Sequence, residues 1–580
     1  MSMKQFLKLV GVLLAVIYLL TTSPAAASLP TPENPISTTQ QTPIPPGMDE
    51  PYWVVRAYYT DRQMVDRLAQ WLEPWEVHHD QGYLVVGVNQ SDYNLLETLG
   101  FRLEVDQQLT KQINSPRQVS PLQTSGIPGF SCYRTVEETF ASAQAIVDAH
   151  PHLASWNDIG DSWDKIHSSG TSGYDLQVLR LTNDQIPGPK PKLFIMSSIH
   201  AREYTPAELN TRFAEHLVNL YDQDPDITWL LDYQEIHLLL QSNPDGRKYA
   251  ETGLLWRKNT NQNYCSPASI YRGADLNRNF AFQWACCGGS SGSPCNETYR
   301  GPTAASEPET QAIQSYLRSE FEDRREDLLT DPAPTDTMGL FIDLHSYSNL
   351  VLWPWGFTST PAPNGLALQT LGRKFAYFNH YIPEQASGLY PTDGATDDFA
   401  YGDLGLAAYT FELGNNFFET CSFFENTILP QNLPALLYAA KAARRPYMSP
   451  AGPDILSVGI STDQVIPGEP IQLTATADDT RYQNTLGAEP VQNIAAVEYS
   501  IDIPDWTSDP APTFYAMSPV DGAFNQTIEN VTATIDTSSL SPGRHILFIR
   551  GQDAAGNWGP PTAYFFSIQH VFFFPLMPVP

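Results

Sequence analysis

The stretch Pro191-Lys-Leu-Phe-Ile-Met-Ser-Ser-Ile-His200-Ala-Arg-Glu203-Tyr-Thr205-Pro206-Ala-Glu208 decides how the rest of the chain is read. Residues 192–198 form an apolar run of the length expected for a strand buried on both faces. Thr205-Pro206-Ala207-Glu208 reads as an N-cap, a proline at the first helical position and a capping-box glutamate, which makes Glu208 a cap. His200 and Glu203 then fall in a strand-to-helix turn, at the carboxyl end of a strand, where open α/β sheets place ligands. Two chelating side chains three residues apart suit zinc, which in catalytic sites takes three protein ligands and leaves a position for water.

A bare His-x-x-Glu equally describes a satisfied histidine beside a surface glutamate. The run Leu340-Phe-Ile-Asp343-Leu-His345-Ser-Tyr347 adds weight, because a second apolar strand ends in a histidine and supplies a third ligand. Asp343, two residues earlier on that strand, reads as a supporting carboxylate. Between and after these lie Asn243-Pro-Asp-Gly246, Trp256-Arg257, Gly273-Ala-Asp-Leu-Asn277-Arg278-Asn279-Phe280 and Tyr409-Thr-Phe-Glu412-Leu-Gly414.

In order and spacing this series resembles the zinc carboxypeptidases of the pancreatic carboxypeptidase A/B type, including the bacterial carboxypeptidase T-like enzymes. The resemblance covers residues 130–448. It implies one zinc ion held by His200, Glu203 and His345, with Glu412 as general base and Arg257 stabilising the oxyanion. It also implies that Asn277, Arg278 and Tyr390 hold the substrate's terminal carboxylate, and that Arg202 and Tyr347 line the approach. A guanidinium fork binds a carboxylate bidentately, so Arg278 would restrict cleavage to chain ends. Asp397, in Tyr390-Pro-Thr-Asp393-Gly-Ala-Thr-Asp397-Asp398, falls where A-type enzymes are aliphatic and B-type enzymes carry aspartate. The resemblance thus implies a preference for C-terminal Lys or Arg, or for basic and apolar residues alike as in the bacterial relatives; Asp393 reaching the same pocket, and Asp397 or Asp398 turning away from it, stay open as alternatives.

Two rival readings stand beside this one. The first is a zinc amidase acting on cell-wall or acylated peptides; the second is an inactive scaffold inside a secreted binding protein. Retention of every ligand and of Glu412 counts against the scaffold, and no G-x-S-x-G elbow follows a strand to suggest a serine hydrolase.

The formal net charge is −31 with only 17% charged residues, 12% aromatics and 48 prolines, a composition that reads as extracellular. The acidic balance argues against nucleic acid and anionic membrane surfaces as partners, since both need a basic patch. Residues 1–27 read as a signal peptide: Lys4 and Lys8, an apolar run over 9–20, then Ala25-Ala26-Ala27. The expected product is secreted, and once the signal is removed it has no membrane contact.

Residues 28–50 are rich in Pro, Thr and Gln and read as a spacer. Residues 51–106 alternate as βαββαβ, with helices at 61–72 and from a Ser91 cap to 99, which predicts a ferredoxin-like α+β module. Directly before a carboxypeptidase such a module resembles the family's propeptide; a permanent N-terminal domain is the alternative. Residues 107–129, with Lys111 and Arg117, read as an exposed cleavable linker. Residues 130–448 alternate strands and helices, predicting an α/β fold with a mixed sheet. Residues 453–570 change to short alternating strands, predicting an all-β immunoglobulin/fibronectin-like sandwich open to a surface or polymer ligand. Residues 571–580 form an apolar tail too short to span a bilayer. Six cysteines in a secreted chain predict disulfides, four of them crowded between 265 and 295 as local staples beside the cleft; the fifteen pairings stay open.

Overall fold

Strands Lys192–Ser197 and Leu340–His345 pair in parallel, Leu193 opposite Leu340 through Ser197 opposite Leu344. Both are apolar along their length because helices cover the two faces of the sheet they belong to. The computed structural model describes residues 52–115, 119–167, 172–267, 269–462 and 464–570. The expected signal peptide, spacer and apolar tail, together with Pro116 and Arg117 of the linker, lie outside the described residues.

The central sheet has eight strands in the order Ile382–Gln385, Leu350–Trp353, Ala407–Glu412, Leu340–His345, Lys192–Ser197, Glu235–Leu239, Asp175–Leu181, Ala154–Asp161. Its middle four strands run parallel and its flanks are partly antiparallel, which is the mixed α/β sheet expected. Glu412 sits opposite His345 in the register, so the last residues of neighbouring parallel strands share one edge.

The helix after the first strand differs from its sequence reading. It spans Tyr204–Leu220 with Glu203 as N-cap and no side-chain cap bond, so Pro206 is its third residue. First-turn N–H groups have no intrahelical acceptor, and proline is tolerated there. Glu208 closes no capping box; its carboxylate accepts from Arg134 N (3.2 Å), Arg134 Nη1 (2.8 Å) and Arg212 Nε (2.9 Å).

Ahead of this sheet lies a four-stranded antiparallel one, ordered Glu76–His78, Tyr83–Val88, Trp53–Tyr58, Arg102–Val105, with helices Arg62–Ala69 and Gln90–Thr98 in βαββαβ sequence. The second helix is capped by Asn89, whose Oδ1 accepts from Asp92 N at 2.9 Å, and not by Ser91. Residues 107–114, expected as open linker, form the helix Gln107–Asn114. Asp106 caps it, Thr110 Oγ1 accepts from Val54 N (2.9 Å) and Asn114 Nδ2 donates to Tyr52 O (2.9 Å), which ties the segment to the sheet. Lys111 lies exposed on this helix.

Beyond residue 453 two sheets enclose one core. The first is ordered Asp454–Ile460, Ile471–Asp478, Ile528–Ile535, Ser518–Pro519, and the second Gln464–Val465, Thr562–Ile568, Gly543–Asp553, Ile494–Ile501, Tyr515–Ala516. Leu473 and Val531 of one sheet pack with Val497, Ile549 and Phe566 of the other, as alternating apolar residues require. Phe548 and Ala563 also join the core of the α/β sheet. The disulfides are Cys132–Cys421, Cys265–Cys295 and the adjacent pair Cys286–Cys287. Two of the three are therefore local, and the first closes 289 residues.

Candidate metal centre and cleft

His200 follows one central strand and His345 ends its neighbour, so backbone pairing alone brings the two rings together. Their Nδ1 atoms face each other at 3.1 Å. Glu203 Oε1 lies 2.8 Å from His200 Nδ1, and Glu203 Oε2 lies 3.3 Å from His345 Nδ1. All three residues are buried. Two ring nitrogens so close cannot both carry protons, and two lone pairs beside a carboxylate are the N,N,O donor set of a catalytic zinc site. The outer ring nitrogens are held by carboxylates as well: His200 Nε2 by Asp275 Oδ1 (3.2 Å) and His345 Nε2 by Asp343 Oδ2 (3.0 Å), which orients the rings and raises their basicity. Burial opposes charge on His345, while Asp343 and Glu203 raise its proton affinity above the ordinary range. The residues present fit zinc.

A second set of donors, Glu235, His237 and Glu320, converges at the opposite, amino-terminal edge of the sheet. Arg180 pairs with Glu235 and Lys192 with Glu320, each at 2.7 Å, so this is an ion-pair network already neutralised.

Around the three converging ligands stand the other expected residues. Burial pushes the Glu412 carboxyl up to about 8, with Glu203 and Glu73 adding to the shift and His345 and Arg257 opposing it. Arg257 forks onto Asp275 Oδ2 through Nε (3.1 Å) and Nη2 (2.9 Å). Asp275 thus braces both a ligand histidine and Arg257. It was passed over in the sequence although it lies inside the motif around Asn277 and Arg278. Asn277 Oδ1 accepts from Thr396 N at 2.9 Å. Arg278 donates from Nε to Gly289 O (3.1 Å) and from Nη1 to Asn277 O (2.7 Å), and Nη2 has no partner among the described residues. Tyr390 is buried, and burial and Glu73 raise its hydroxyl pKa. Tyr347 stacks edge-on to Phe417 at 5.0 Å. Asp397 is 4% exposed and accepts from Asp398 N at 2.9 Å; burial lifts its carboxyl to about 6, and no Lys or Arg pairs with it among the described residues. Asp398 instead caps Gly356 N and Phe357 N.

A further residue enters from the N-terminal sheet. Glu73, in the loop after helix Arg62–Ala69, reaches Arg202 Nη2 at 2.5 Å and pairs with Arg257 Nη1. Despite burial, Arg257, Arg202 and His200 keep its carboxyl below the ordinary range, so it is ionised. Trp75 packs on Phe417 (5.1 Å) and its carbonyl accepts from Ser348 Oγ (2.9 Å), while Arg62 Nη2 donates to Ser387 O (2.9 Å) and Gly388 O (2.7 Å) just before Tyr390. An acid in a short loop carries no sequence signal for such a contact.

Comparison with known proteins agrees with this geometry. A sequence model described as zinc carboxypeptidase matches residues 140–431. Carboxypeptidase A1 of Rattus norvegicus is 30% identical over 316 residues, 52% of this chain and 67% of that protein. A zinc carboxypeptidase of Saccharothrix mutabilis subsp. capreolus is 33% identical over 298 residues, 49% of this chain and 62% of that protein. Among solved structures, carboxypeptidase A from Helicoverpa armigera has a TM-score of 0.55 at 21% identity over 68% of this chain and 98% of its own. Thrombin activatable fibrinolysis inhibitor has a TM-score of 0.52 at 24% identity over 68% of this chain and 99% of its own. Both structural likenesses bear on the fold alone. With two histidines and a glutamate converging at the carboxyl edge of a mixed sheet, and a family match that spans half of the sequence, this chain belongs to the zinc carboxypeptidase family.

Proposed function

We propose that the chain is a secreted zinc metallocarboxypeptidase, kept latent by residues 51–106 acting as a propeptide, and that it prefers peptides ending in Lys or Arg. Bound zinc supplies a Lewis acid for the scissile carbonyl and lowers the pKa of water towards about 7. Glu412 takes a proton from the attacking water and returns it to the departing amine nitrogen. Arg257, braced by Asp275, donates to the oxygen on which negative charge develops. Arg278, Asn277 and the Tyr390 hydroxyl hold the terminal carboxylate, which confines the reaction to the last peptide bond.

The observation that carries the latency is Glu73. Its carboxylate lies on Arg202 and Arg257, two groups needed by a substrate, and its neighbour Trp75 covers Tyr347 and Phe417. The sheets after residue 453 form, in this reading, a separate immunoglobulin/fibronectin-like domain. Among the described residues no helix is long and apolar enough to cross a membrane.

The basic preference rests on Asp397, an enclosed carboxylate without a cation. A Lys or Arg side chain would compensate it, whereas an apolar residue would leave a buried charge unpaired at a cost of about 3 kcal/mol. The test compares peptides ending in Arg, Lys, Leu and Phe, with and without Asp397→Ile, before and after limited trypsin treatment. Faster release of Leu and Phe than of Arg, unchanged by the substitution, rules out the pocket; full activity without trypsin rules out the latency.

A further inference from the structure

Asp393 stands three residues after Tyr390 and is fully buried. No Lys, Arg or His pairs with it among the described residues. It is satisfied instead by three donors from one short loop: Cys287 N (3.2 Å), Gly289 N (2.9 Å) and Ser290 Oγ. That loop opens with the Cys286–Cys287 disulfide, which closes a ring of adjacent residues and narrows its conformational freedom. The carbonyl of Gly289 in turn accepts Arg278 Nε at 3.1 Å.

The two chain segments meet closely. A side chain on Gly289 would come within 2.4 Å of Thr392 C, and one on Gly394 within 2.5 Å of Arg278 O, so backbone lies on backbone at both places. Gly394, at φ +66°, accepts Phe280 N at 3.0 Å, and Thr396 N donates to Asn277 Oδ1 at 2.9 Å. The segment that carries Tyr390 is thereby fastened along residues 277–280, and Asp393 accepts the hydrogen bonds that tie it to the loop whose Gly289 carbonyl meets the Arg278 guanidinium.

We propose that Asp393 is a positioning residue for the carboxylate grip: it ties the Cys286–Ser290 loop to the Tyr390 segment, holding Gly289 O where it orients Arg278. This rests on the reading of Arg278 as the carboxylate-binding group. The acceptor-only character of a carboxylate matters, because all three groups aimed at Asp393 are donors. An asparagine would turn its own NH2 against one of them. Both oxygens are occupied by the loop, so Asp393 belongs to the wall of the site and is no part of the specificity floor.

The test uses the full chain after limited trypsin treatment, with kcat and KM measured separately on a peptide with a free C-terminus, alongside zinc content. Asp393→Asn should raise KM about tenfold or more with kcat within about threefold and zinc retained, since misorienting one positioning group weakens binding before chemistry. Ser290→Ala, which keeps the Asp393 carboxylate and removes only the donor to its Oδ1, should raise KM by about two- to threefold. Inhibition by the free amino acid product should weaken in parallel. A general loss of fold would lower kcat and zinc content together instead. If Arg278→Gln raises KM while Asp393→Asn and Ser290→Ala leave it unchanged, Asp393 does not position Arg278. If Arg278→Gln itself leaves KM unchanged, the reading of the grip falls, and this proposal with it.

Discussion

Replacing Glu73 by alanine should wake the uncut chain. Glu73 makes charge-assisted contacts to Arg202 and Arg257, each of a kind that contributes about 1.5–3 kcal/mol. Neither arginine is orphaned by the change. Arg202 keeps Glu297 at 2.5 Å and Arg257 keeps Asp275 at 2.9 Å, so the loss stays below the sum of the two contacts. Taking about 3 kcal/mol as the weakening of the closed state, the open fraction of the uncut chain rises roughly 100-fold, at tenfold per about 1.4 kcal/mol. Glu73→Gln retains the shape and one neutral hydrogen bond, and should give about tenfold. The assay is hydrolysis of a peptide ending in arginine by uncut and by trypsin-treated protein, wild type against variant, reported as the ratio of the two rates. Wild type should show a large ratio and Glu73→Ala a small one, with the treated forms equal. An uncut Glu73→Ala protein as silent as wild type would refute the argument; the block would then lie in the apolar cover of Trp75 over Tyr347 and Phe417.

Three further outcomes are expected. His200→Ala and His345→Ala should lose both zinc, measured by metal analysis, and activity, whereas Glu412→Gln should lose activity with zinc retained; substantial turnover by Glu412→Gln would remove it as the base. Glu309 is fully buried, accepting Trp163 N (2.8 Å) and Asn259 Nδ2 (3.1 Å) beside Glu307, and burial followed by the Glu307 charge lifts its carboxyl from the ordinary 4.5 to about 8. The folded state then binds more protons than the unfolded one between those values, so stability falls as pH rises from about 4.5 to about 8. Glu309→Gln should raise Tm by a few degrees at pH 8, leave it unchanged near pH 4.5, and flatten the profile between them; thermal scans across that range check the sign. Removing Cys132–Cys421 by a double alanine substitution should lower stability by about 3–5 kcal/mol, because that bridge closes 289 residues, whereas loss of Cys286–Cys287 should cost far less in a denaturant titration.

How much of this was legible beforehand follows from what each residue depends on. The α/β alternation, the strand ends carrying His200 and His345 and the alternating strands after residue 453 are local patterns, set by burial on one or both faces of a short segment. The helix at 107–114 was missed because its support comes from Val54 and Tyr52, about sixty residues away in sequence. Thr205 and Glu208 matched a cap by spacing, but Glu203 begins the helix, and Arg134 and Arg212 claim the Glu208 carboxylate.

The sequence by itself offered the candidates for binding a metal, activating water and gripping a carboxylate, because such roles call for particular functional groups that here recur in a recognisable order. Tertiary structure alone decided that both histidines present Nδ1, that Asp275 serves His200 and Arg257 at once, that Glu73 enters the cleft and that Asp393 accepts from the 287–290 loop. The physical reason is range. A ligand's chemistry travels with its residue, whereas a carboxylate in a loop takes its role from whichever donors a distant part of the chain brings within about 3 Å of it.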